Sequence, residues 1–209
     1  MPDQPSQDET RQDETVQDQT VQDQRVQDEL SLLADESARE AQAFLDTMTE
    51  VASGSAPDAA LPMTLLALSQ VMLMGARLGA VQDVVPSERY EPDAGPDPDV
   101  DPLRQGVANL FEGLDDYAHV VDPLVDVEVV RGSLSGDLAE IASALAHGLR
   151  HYAAGQRTEA LWWWQFSYVQ SWGDSGARAL RVLLSLLGHV RLDADEETVA
   201  DAEFDALHP

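Results

Sequence analysis

Apolar residues recur at three- and four-residue spacing through most of residues 31–192, and this periodicity restricts the chain to packed helices. In the first segment the pattern runs through Phe44, Met48 and Val51. This spacing places apolar side chains on one face of a helix. We therefore predict an all-α fold, an antiparallel bundle of about six helices that forms a single domain over residues 31–192.

The expected helices are bounded by glycine, proline and capping residues. They run approximately over residues 32–52, 58–78, 102–120, 133–154, 157–172 and 177–190. Ser133 or Ser135 is expected to cap the fourth. The stretch VDVEVV at residues 125–130 alternates like a strand. Because an isolated strand needs a partner and the sequence offers no convincing second one, we interpret this stretch as an extended connection.

A five-residue repeat precedes the predicted domain, with Val16, Val21 and Val26 at equivalent positions. Five-residue spacing turns successive side chains by about 140° around a helix, and on a strand it alternates their faces. Neither arrangement gives a surface that can be buried. We therefore predict that residues 1–30 form a disordered acidic tail with no catalytic role.

The formal net charge of −27 comes mainly from three segments: residues 1–29, 82–101 and 193–209. Five prolines lie from Pro86 to Pro102, four of them within the second segment, so we expect an exposed acidic loop inside the domain. The third is expected to be an acidic C-terminal tail. Such a charge opposes direct nucleic-acid binding and suits a basic protein partner, or serves only to keep the chain soluble.

The chain contains no cysteine, which excludes disulfides and thiolate ligands. Its most apolar run, residues 61–76, is shorter than the ~20 residues that a membrane span needs, so it is expected to be a core helix. No signal peptide is evident in the sequence. We therefore expect a cytoplasmic protein with no membrane partner.

The densest motif is ALWWWQFSYVQSWG at residues 160–173. In an α-helix, Trp162 and Phe166 share a face with Val169, so we predict that the first two are core residues and that Trp163 is the most exposed. The cluster is either an aromatic clamp in the core or a stacking surface for a partner. The candidate interaction residues are Trp162, Trp163, Trp164, Phe166, Tyr168 and Trp172.

A second set of residues suggests a metal site. Glu140, His147 and His151 fall within about 40° on the fourth helix, and Asp137 lies nearby. Asp116 and His119 form an i,i+3 pair on the third helix, the spacing that dimetal bundles use with Glu and His. Only one such pair is present, and a solvated polar face is the simpler interpretation. Glu159 and Asp174 could add carboxylates. No cofactor is predicted beyond this candidate metal.

One bacterial family shows the same order of motifs. The shared features are Asp116-Tyr117, Asp122-Pro123, the run Asp137–Ile141, the block Ala160–Phe166 and Trp172-Gly173. Over roughly residues 38–190 the chain resembles the family catalogued as domain of unknown function 5063. The resemblance implies an all-helical fold without an assigned activity. Family members tend to have histidine where this chain has Ser171 and Ser175, so any family role of those histidines would be missing here.

These observations favour a non-catalytic protein-interaction module. The sequence lacks a glycine-rich phosphate loop, a nucleophile elbow and a zinc-protease motif. The alternative is a metal-dependent hydrolase or small-molecule enzyme with a carboxylate and histidine site between helices three and four. Convergence of at least three of those groups in one cavity would favour the enzyme.

Overall fold

The computed structural model describes residues 7–86, 95–122 and 124–192, and within them the fold is mostly helical with one two-stranded sheet. The elements are α1 (Gln7–Ala52), α2 (Pro57–Ala80), α3 (Asp101–Leu110), β1 (Asp116–Asp122), β2 (Asp126–Ser133), α4 (Leu134–Ala153), α5 (Arg157–Ser167) and α6 (Gly173–Leu192). A π-helical turn, Tyr168–Trp172, joins α5 to α6, so these two form one continuous rod. The predicted helical bundle is confirmed in outline, and the sheet is an addition to it.

The core lies where α1, α2 and α4 meet the rod of α5 and α6. Helices α1, α2 and α4 each contribute apolar side chains at helical spacing. The fully buried large side chains include Phe44, Met48, Leu68, Leu78, Leu138, Ile141, Leu145 and Leu183. Burying a side chain of this size contributes about 1.5–3 kcal/mol, so this shared stripe is the main source of stability.

Helix α2 is long and apolar enough to cross a membrane by length and composition alone. In the fold, however, one face is buried against α1, α5 and α6, with Leu68, Val71 and Leu78 in the core. Its glycines Gly75 and Gly79 lie against the ring of Tyr168, and a Cβ at Gly75 would overlap that ring. These contacts are those of a core helix.

Residues 111–133 differ from the prediction. Helix α3 ends at Leu110, and the following chain forms an antiparallel hairpin in which Tyr117 pairs with Gly132 and His119 with Val130. The expectations of a helix to residue 120 and of an unpaired VDVEVV segment were therefore wrong. The missing partner is YAHVV at residues 117–121, whose β-branched valines favour a strand. Gly113, at φ 81°, provides the turn that separates helix from strand.

The first helix also begins earlier than predicted. Helix α1 starts at Gln7, so residues 7–30 are helical where a disordered tail was expected, and residues 1–6 lie outside the described part of the chain. The repeat supplies good helix formers, and Gln24 Nε2 donates to Asp28 Oδ1 (3.0 Å) at i,i+4 spacing. A helix already held by the core can be extended at low cost. The apolar pattern reports what can be buried, and it does not report what can be helical.

We expect deletion of residues 1–29 to leave the melting temperature unchanged within error. The described side chains of this arm, at residues 19–22 and 24–29, are exposed, and the buried core begins at Ala34. The measurement is thermal unfolding by circular dichroism, with deletion of residues 1–6 as a control for the effect of truncation itself. A loss of several degrees on deletion of residues 1–29 alone would show that the arm contacts the body.

The acidic loop begins with a fixed segment. The backbone N–H of the buried Val84 donates to Gln165 Oε1 (2.8 Å), and Gln165 Nε2 donates to the carbonyl of Leu78 (2.8 Å). Gln165 thus ties the end of α2 and the start of the loop to α5. Residues 87–94 of the predicted loop and the whole acidic segment 193–209 lie outside the described residues.

Candidate functional site

The base of the hairpin is fixed to the start of α4 by a double cap. Ser133 accepts a hydrogen bond from Gly136 N (3.2 Å), which confirms the predicted N-cap. Asp115, just before β1, accepts from both Ser135 N and Ser135 Oγ (2.7 Å each). Leu134 N donates to the Asp115 carbonyl (2.9 Å). These bonds satisfy amides that a helix N-terminus leaves without partners, and they hold both ends of the hairpin on α4.

Next to this base, a polar cluster joins β1, α4 and α6. It consists of Tyr117, Asp137 and Arg178. The Tyr117 hydroxyl donates to Asp137 Oδ2, and Arg178 Nη2 donates to Asp137 Oδ1 (2.7 Å). Arg178 Nε also donates to the Tyr117 hydroxyl (3.2 Å), and Nη1 donates to Asp174. The cluster connects residues up to 61 positions apart, so it anchors the hairpin to the body.

The three groups shift one another's pKa. Burial raises the pKa of Asp137, although the bonds from Tyr117 and Arg178 oppose this. Burial, together with the bond to Asp137, raises the pKa of Tyr117 well above its ordinary value. For Arg178, burial acts against the charge, but the bonds to Asp137 and Tyr117 outweigh it and raise its pKa. Tyr117 therefore stays a neutral donor, which suits a structural anchor and not a catalytic base.

We expect Tyr117 to make folding less stable at alkaline pH. Its folded-state pKa lies above the ordinary value of 10.0, so the unfolded chain loses this proton first. The stabilising contribution is complete below pH 10 and is lost as the pH rises beyond it. Urea unfolding across this range should show a steeper loss for the wild type than for Tyr117→Phe. Equal slopes for the two proteins would contradict the raised pKa.

A groove of about 690 Å³ runs between β1 and α6 above the polar cluster. Its floor and walls are partly apolar, with Ala177, Val182 and Leu186 on the α6 side. Arg181 and His189 of α6 and His119 of β1 also line it. Asp116, Asp174 and Arg178 line it as well, so the groove combines an apolar strip with two carboxylates and two guanidinium groups.

The predicted metal residues do not form one group, although the rings of His147 and His151 lie 5.2 Å apart between centroids. Asp116 and His119 lie on β1, where i,i+3 spacing places them on opposite faces of a strand. The Glu140 carboxylate accepts from Ser175 Oγ (2.7 Å), whereas Asp137 belongs to the polar cluster. His147 packs on the Trp163 ring (4.0 Å between centroids). The remaining candidate, His151, is buried with its Nδ1 2.9 Å from Gln156 Oε1.

Within the described ranges, no three His, Asp or Glu side chains lie close enough to hold a metal ion. The placement of Asp116 and His119 on a helix was wrong, because the segment that carries them forms β1. The convergence that would favour the enzyme is therefore not seen among these side chains.

The tryptophan block is arranged differently from the prediction. Trp164 and Trp172 are fully buried, whereas Phe166 is 44 % exposed, so the expected helix phase was wrong. Trp162 is only partly buried and stacks on Phe166, with 5.4 Å between ring centroids. Trp163 is also partly buried, and its indole N–H donates to the Ala144 carbonyl (2.9 Å), so it is not the exposed member of the block.

Two features determine which side chains of the tryptophan block face the core. Trp164 packs directly on Gly148 of α4, where a Cβ would overlap the indole, and its N–H donates to the Leu145 carbonyl (3.2 Å). The π-helical turn then inserts about one residue, or ~100° of rotation, which nearly cancels the ~80° that separates Trp164 from Trp172 in a regular helix. Both indoles therefore face the core, with Tyr168 edge-on to Trp172 (4.7 Å).

Comparison with known proteins agrees with this fold. The model of the family described as "Domain of unknown function (DUF5063)" matches residues 28–189. The chain belongs to this family. The DUF5063 domain therefore includes every described element from the last part of the α1 repeat to α6, and the resemblance expected from the motifs is confirmed. No curated protein matches the chain.

A solved structure shares the architecture. The chain is similar to the crystal structure of protein BF1032 from Bacteroides fragilis, with 18 % sequence identity and a TM-score of 0.59. The match covers 77 % of this chain and 93 % of that one. At this identity the likeness shows the fold of the DUF5063 domain and no more.

Sequence reasoning missed the residues that place the hairpin. Asp115 and Arg178 were not singled out, and Tyr117 was expected to lie on the third helix. The available signal was YAHVV, with an aromatic residue and two valines, before the turn dipeptide Asp122-Pro123, and the alternating valines of VDVEVV after it. Nothing in the local sequence links residue 117 to residue 178, because that contact depends on the tertiary fold.

Proposed function

We propose that this DUF5063 protein is a non-catalytic interaction module whose β-hairpin binds a partner protein. The observation that supports this proposal is that the outer half of the hairpin exposes large aliphatic side chains to solvent. Val125 and Val127 are each 83 % exposed and Leu124 is 94 % exposed. Val129 and its cross-strand partner Val120 are also exposed, as is Val121. Contiguous exposed apolar surface of this kind is typical of binding sites.

The hairpin makes few contacts with the rest of the domain. An isolated two-stranded sheet is marginally stable in water, and beyond the base of this hairpin its two strands contact mainly each other. Among the described residues no third strand pairs with it, so both edges offer backbone groups to an incoming strand. The Tyr117 anchor keeps it projecting in one direction, so less ordering is needed when a partner binds.

The charge of the chain supports a partner with apolar and basic side chains. Acidic residues Asp126 and Glu128 alternate with the valines of β2, and the whole chain carries −27. A second copy would bring like charges together across the hairpin, which is destabilising. A strand that alternates aliphatic residues with Lys or Arg would match this alternation of valines and acids in sequence.

The test is photo-crosslinking in cells with a photoreactive residue at Val127, followed by identification of the product and measurement of its affinity as purified protein. Substituting Val127→Thr and Val129→Thr keeps the β-branched shape and removes the apolar surface. We expect this double variant to weaken binding at least tenfold, about 1.4 kcal/mol. Val169→Thr is the matched control, because Val169 is 74 % exposed on the π-helical turn, and it should leave the affinity unchanged.

Three outcomes would overturn the proposal. The crosslinked protein could bind the double variant as well as it binds the wild type. The control Val169→Thr could weaken binding equally, which would place the surface elsewhere. The product could be a second copy of this chain, with self-association in sedimentation that the double variant abolishes.

A further inference from the structure

The groove between β1 and α6 follows the outer edge of β1. Its lining includes every residue from 116 to 120, and successive residues of a strand direct their side chains to opposite faces. No described side chain of β2 lines it, and in the described ranges β1 pairs only with β2. A cavity that touches both faces of one strand runs along the edge of that strand. This edge presents backbone N–H and C=O groups, which an extended peptide can bind.

Helix α6 forms the opposite wall. Its lining residues recur at three- and four-residue spacing from residue 174 to residue 189, a distance of about 22 Å along the helix. Val182 and Leu186 form an apolar strip on this wall. The groove therefore has a strand edge on one side and an apolar helix face on the other, over a length that suits a short extended peptide.

The charges that line the groove balance, and two of them are not paired. Arg178 forms ion pairs with Asp137 and Asp174. Asp116 and Arg181 are exposed, and neither side chain forms an ion pair or a hydrogen bond with another described residue. Asp116 belongs to the β1 wall and Arg181 to the α6 wall. The groove thus has one carboxylate and one guanidinium group available to a ligand.

These two residues lie at neighbouring levels of the groove. Asp116 directly precedes Tyr117, whose hydroxyl accepts a hydrogen bond from Arg178 Nε (3.2 Å). Arg181 lies three residues, or about 4.5 Å, further along α6. The apolar strip of α6 begins at the next residue. A ligand that binds both charges therefore also lies beside this strip.

A ligand whose charge has a single sign matches only one of the two residues. An anion would pair with Arg181 but would meet Asp116 and the field of a chain of charge −27. A cation would pair with Asp116 and leave Arg181 without a partner. A zwitterion matches both residues, and because it has no net charge the field of the chain does not repel it.

The β1 edge selects a peptide among zwitterions, because only a peptide backbone can follow the hydrogen-bonding groups of residues 116–120. We propose that the groove binds short peptides that have free termini and aliphatic side chains. The N-terminal ammonium group pairs with Asp116 and the C-terminal carboxylate with Arg181. An aliphatic side chain packs against Val182 and Leu186.

This inference does not depend on the proposed function. The proposed partner protein binds the valines at the tip of the hairpin, whereas the peptide lies along the edge of β1 against α6. The test of peptide binding uses purified full-length chain and synthetic peptides alone. A hairpin tip that binds no partner protein would leave the result unchanged, and the reverse also holds.

The probe is trileucine, with binding measured by isothermal titration calorimetry and by shifts of the β1 amides in the ¹⁵N-labelled chain. We expect trileucine to bind, and we expect N-acetylation or C-amidation of the peptide to weaken binding by at least about tenfold each, because each removes one charge. Leucine alone should bind more weakly than trileucine. Absence of binding at millimolar trileucine, or equal binding by leucine, would contradict the proposal.

Two variants assign each terminus to its residue. Arg181→Gln should weaken the binding of trileucine by at least about tenfold and leave the binding of the C-amidated peptide unchanged. Asp116→Asn should do the same for trileucine and spare the N-acetylated peptide. Arg77→Gln and Asp83→Asn make equal charge changes outside the groove and should have no effect.

An effect of the control variants as large as that of the groove variants would show that total charge, and not this site, controls binding. Equal weakening of the free and the blocked peptides by Arg181→Gln or Asp116→Asn would place the termini elsewhere. Circular dichroism establishes that each variant is folded. The comparison of free and blocked peptides on the wild type decides the proposal even where a variant is not.

Discussion

Replacing Trp164 with alanine is expected to lower the free energy of unfolding by about 3–5 kcal/mol, the largest effect of any single substitution considered for this chain. Trp164 is fully buried, fits against Gly148 and donates to the Leu145 carbonyl. The substitution leaves a large cavity between α4 and α5 and a carbonyl without its indole donor. The measurement is urea unfolding followed by circular dichroism.

Phe166→Ala is the matched control, since Phe166 lies on the same helix and remains 44 % exposed. Its replacement should cost under about 1 kcal/mol, because the ring is largely exposed and stacks on the partly buried Trp162. The helix phase seen in the structure would be contradicted by the reverse order of effects, in which Phe166→Ala unfolds the domain and Trp164→Ala does not.

The second large effect is expected for Arg178→Leu. The substitution leaves the Asp137 carboxylate, whose side chain is 7 % exposed, without its cationic partner. Breaking a buried ion pair from one side costs about 3–5 kcal/mol, and the 20 % exposure of Arg178 places this case at the lower end of that range. Hydrogen exchange at the β1 amides should accelerate more than exchange in α2, because the hairpin loses its anchor.

Two further variants test the cause. Arg181→Leu removes an equal charge one turn along α6 and should change stability by no more than about 0.5 kcal/mol. Adding Asp137→Asn to Arg178→Leu should recover part of the loss, because the unpaired buried charge is then absent. If the double variant loses more free energy of unfolding than the two single variants lose together, the unpaired carboxylate is not the cause of the loss.

The helical core could be predicted from the sequence because its signals are local. Leu138, Ile141 and Leu145 repeat at helical spacing, and Ser133 precedes them as a cap. The position of the acidic loop could be predicted for the same reason, since proline density excludes a helix. In each case the residues that carry the information are within one or two turns of the element that they define.

The hairpin and the tryptophan phase could not be predicted, because their determinants are far away in the chain. Tyr117 fits the apolar face of a helix as well as it fits a strand, and the residue that it contacts, Arg178, lies 61 positions further along the chain. Gly148 of α4 leaves room for the indole of Trp164, and this contact between two helices determines that Trp164, and not Trp162 or Trp163, is fully buried. A one-residue change of helical pitch at residues 168–172 has no clear signature in the sequence. The candidate groove depends on the hairpin, on the tryptophan phase and on this change of pitch, so it could not be predicted either.

The π-helical turn has a consequence for how this protein can vary. It lies between Trp164, which is set against α4, and Arg178, which holds the hairpin. Because the turn holds one residue more than a regular helix, loss of one residue within 168–171 would convert it to an α-helix and leave Trp172 and Arg178 on their present faces. Loss of a residue from the regular part of α6 before Arg178 would instead rotate Arg178 by about 100° and turn it away from Tyr117. The aromatic segment can therefore lose a residue without moving the hairpin, whereas the first turn of α6 cannot.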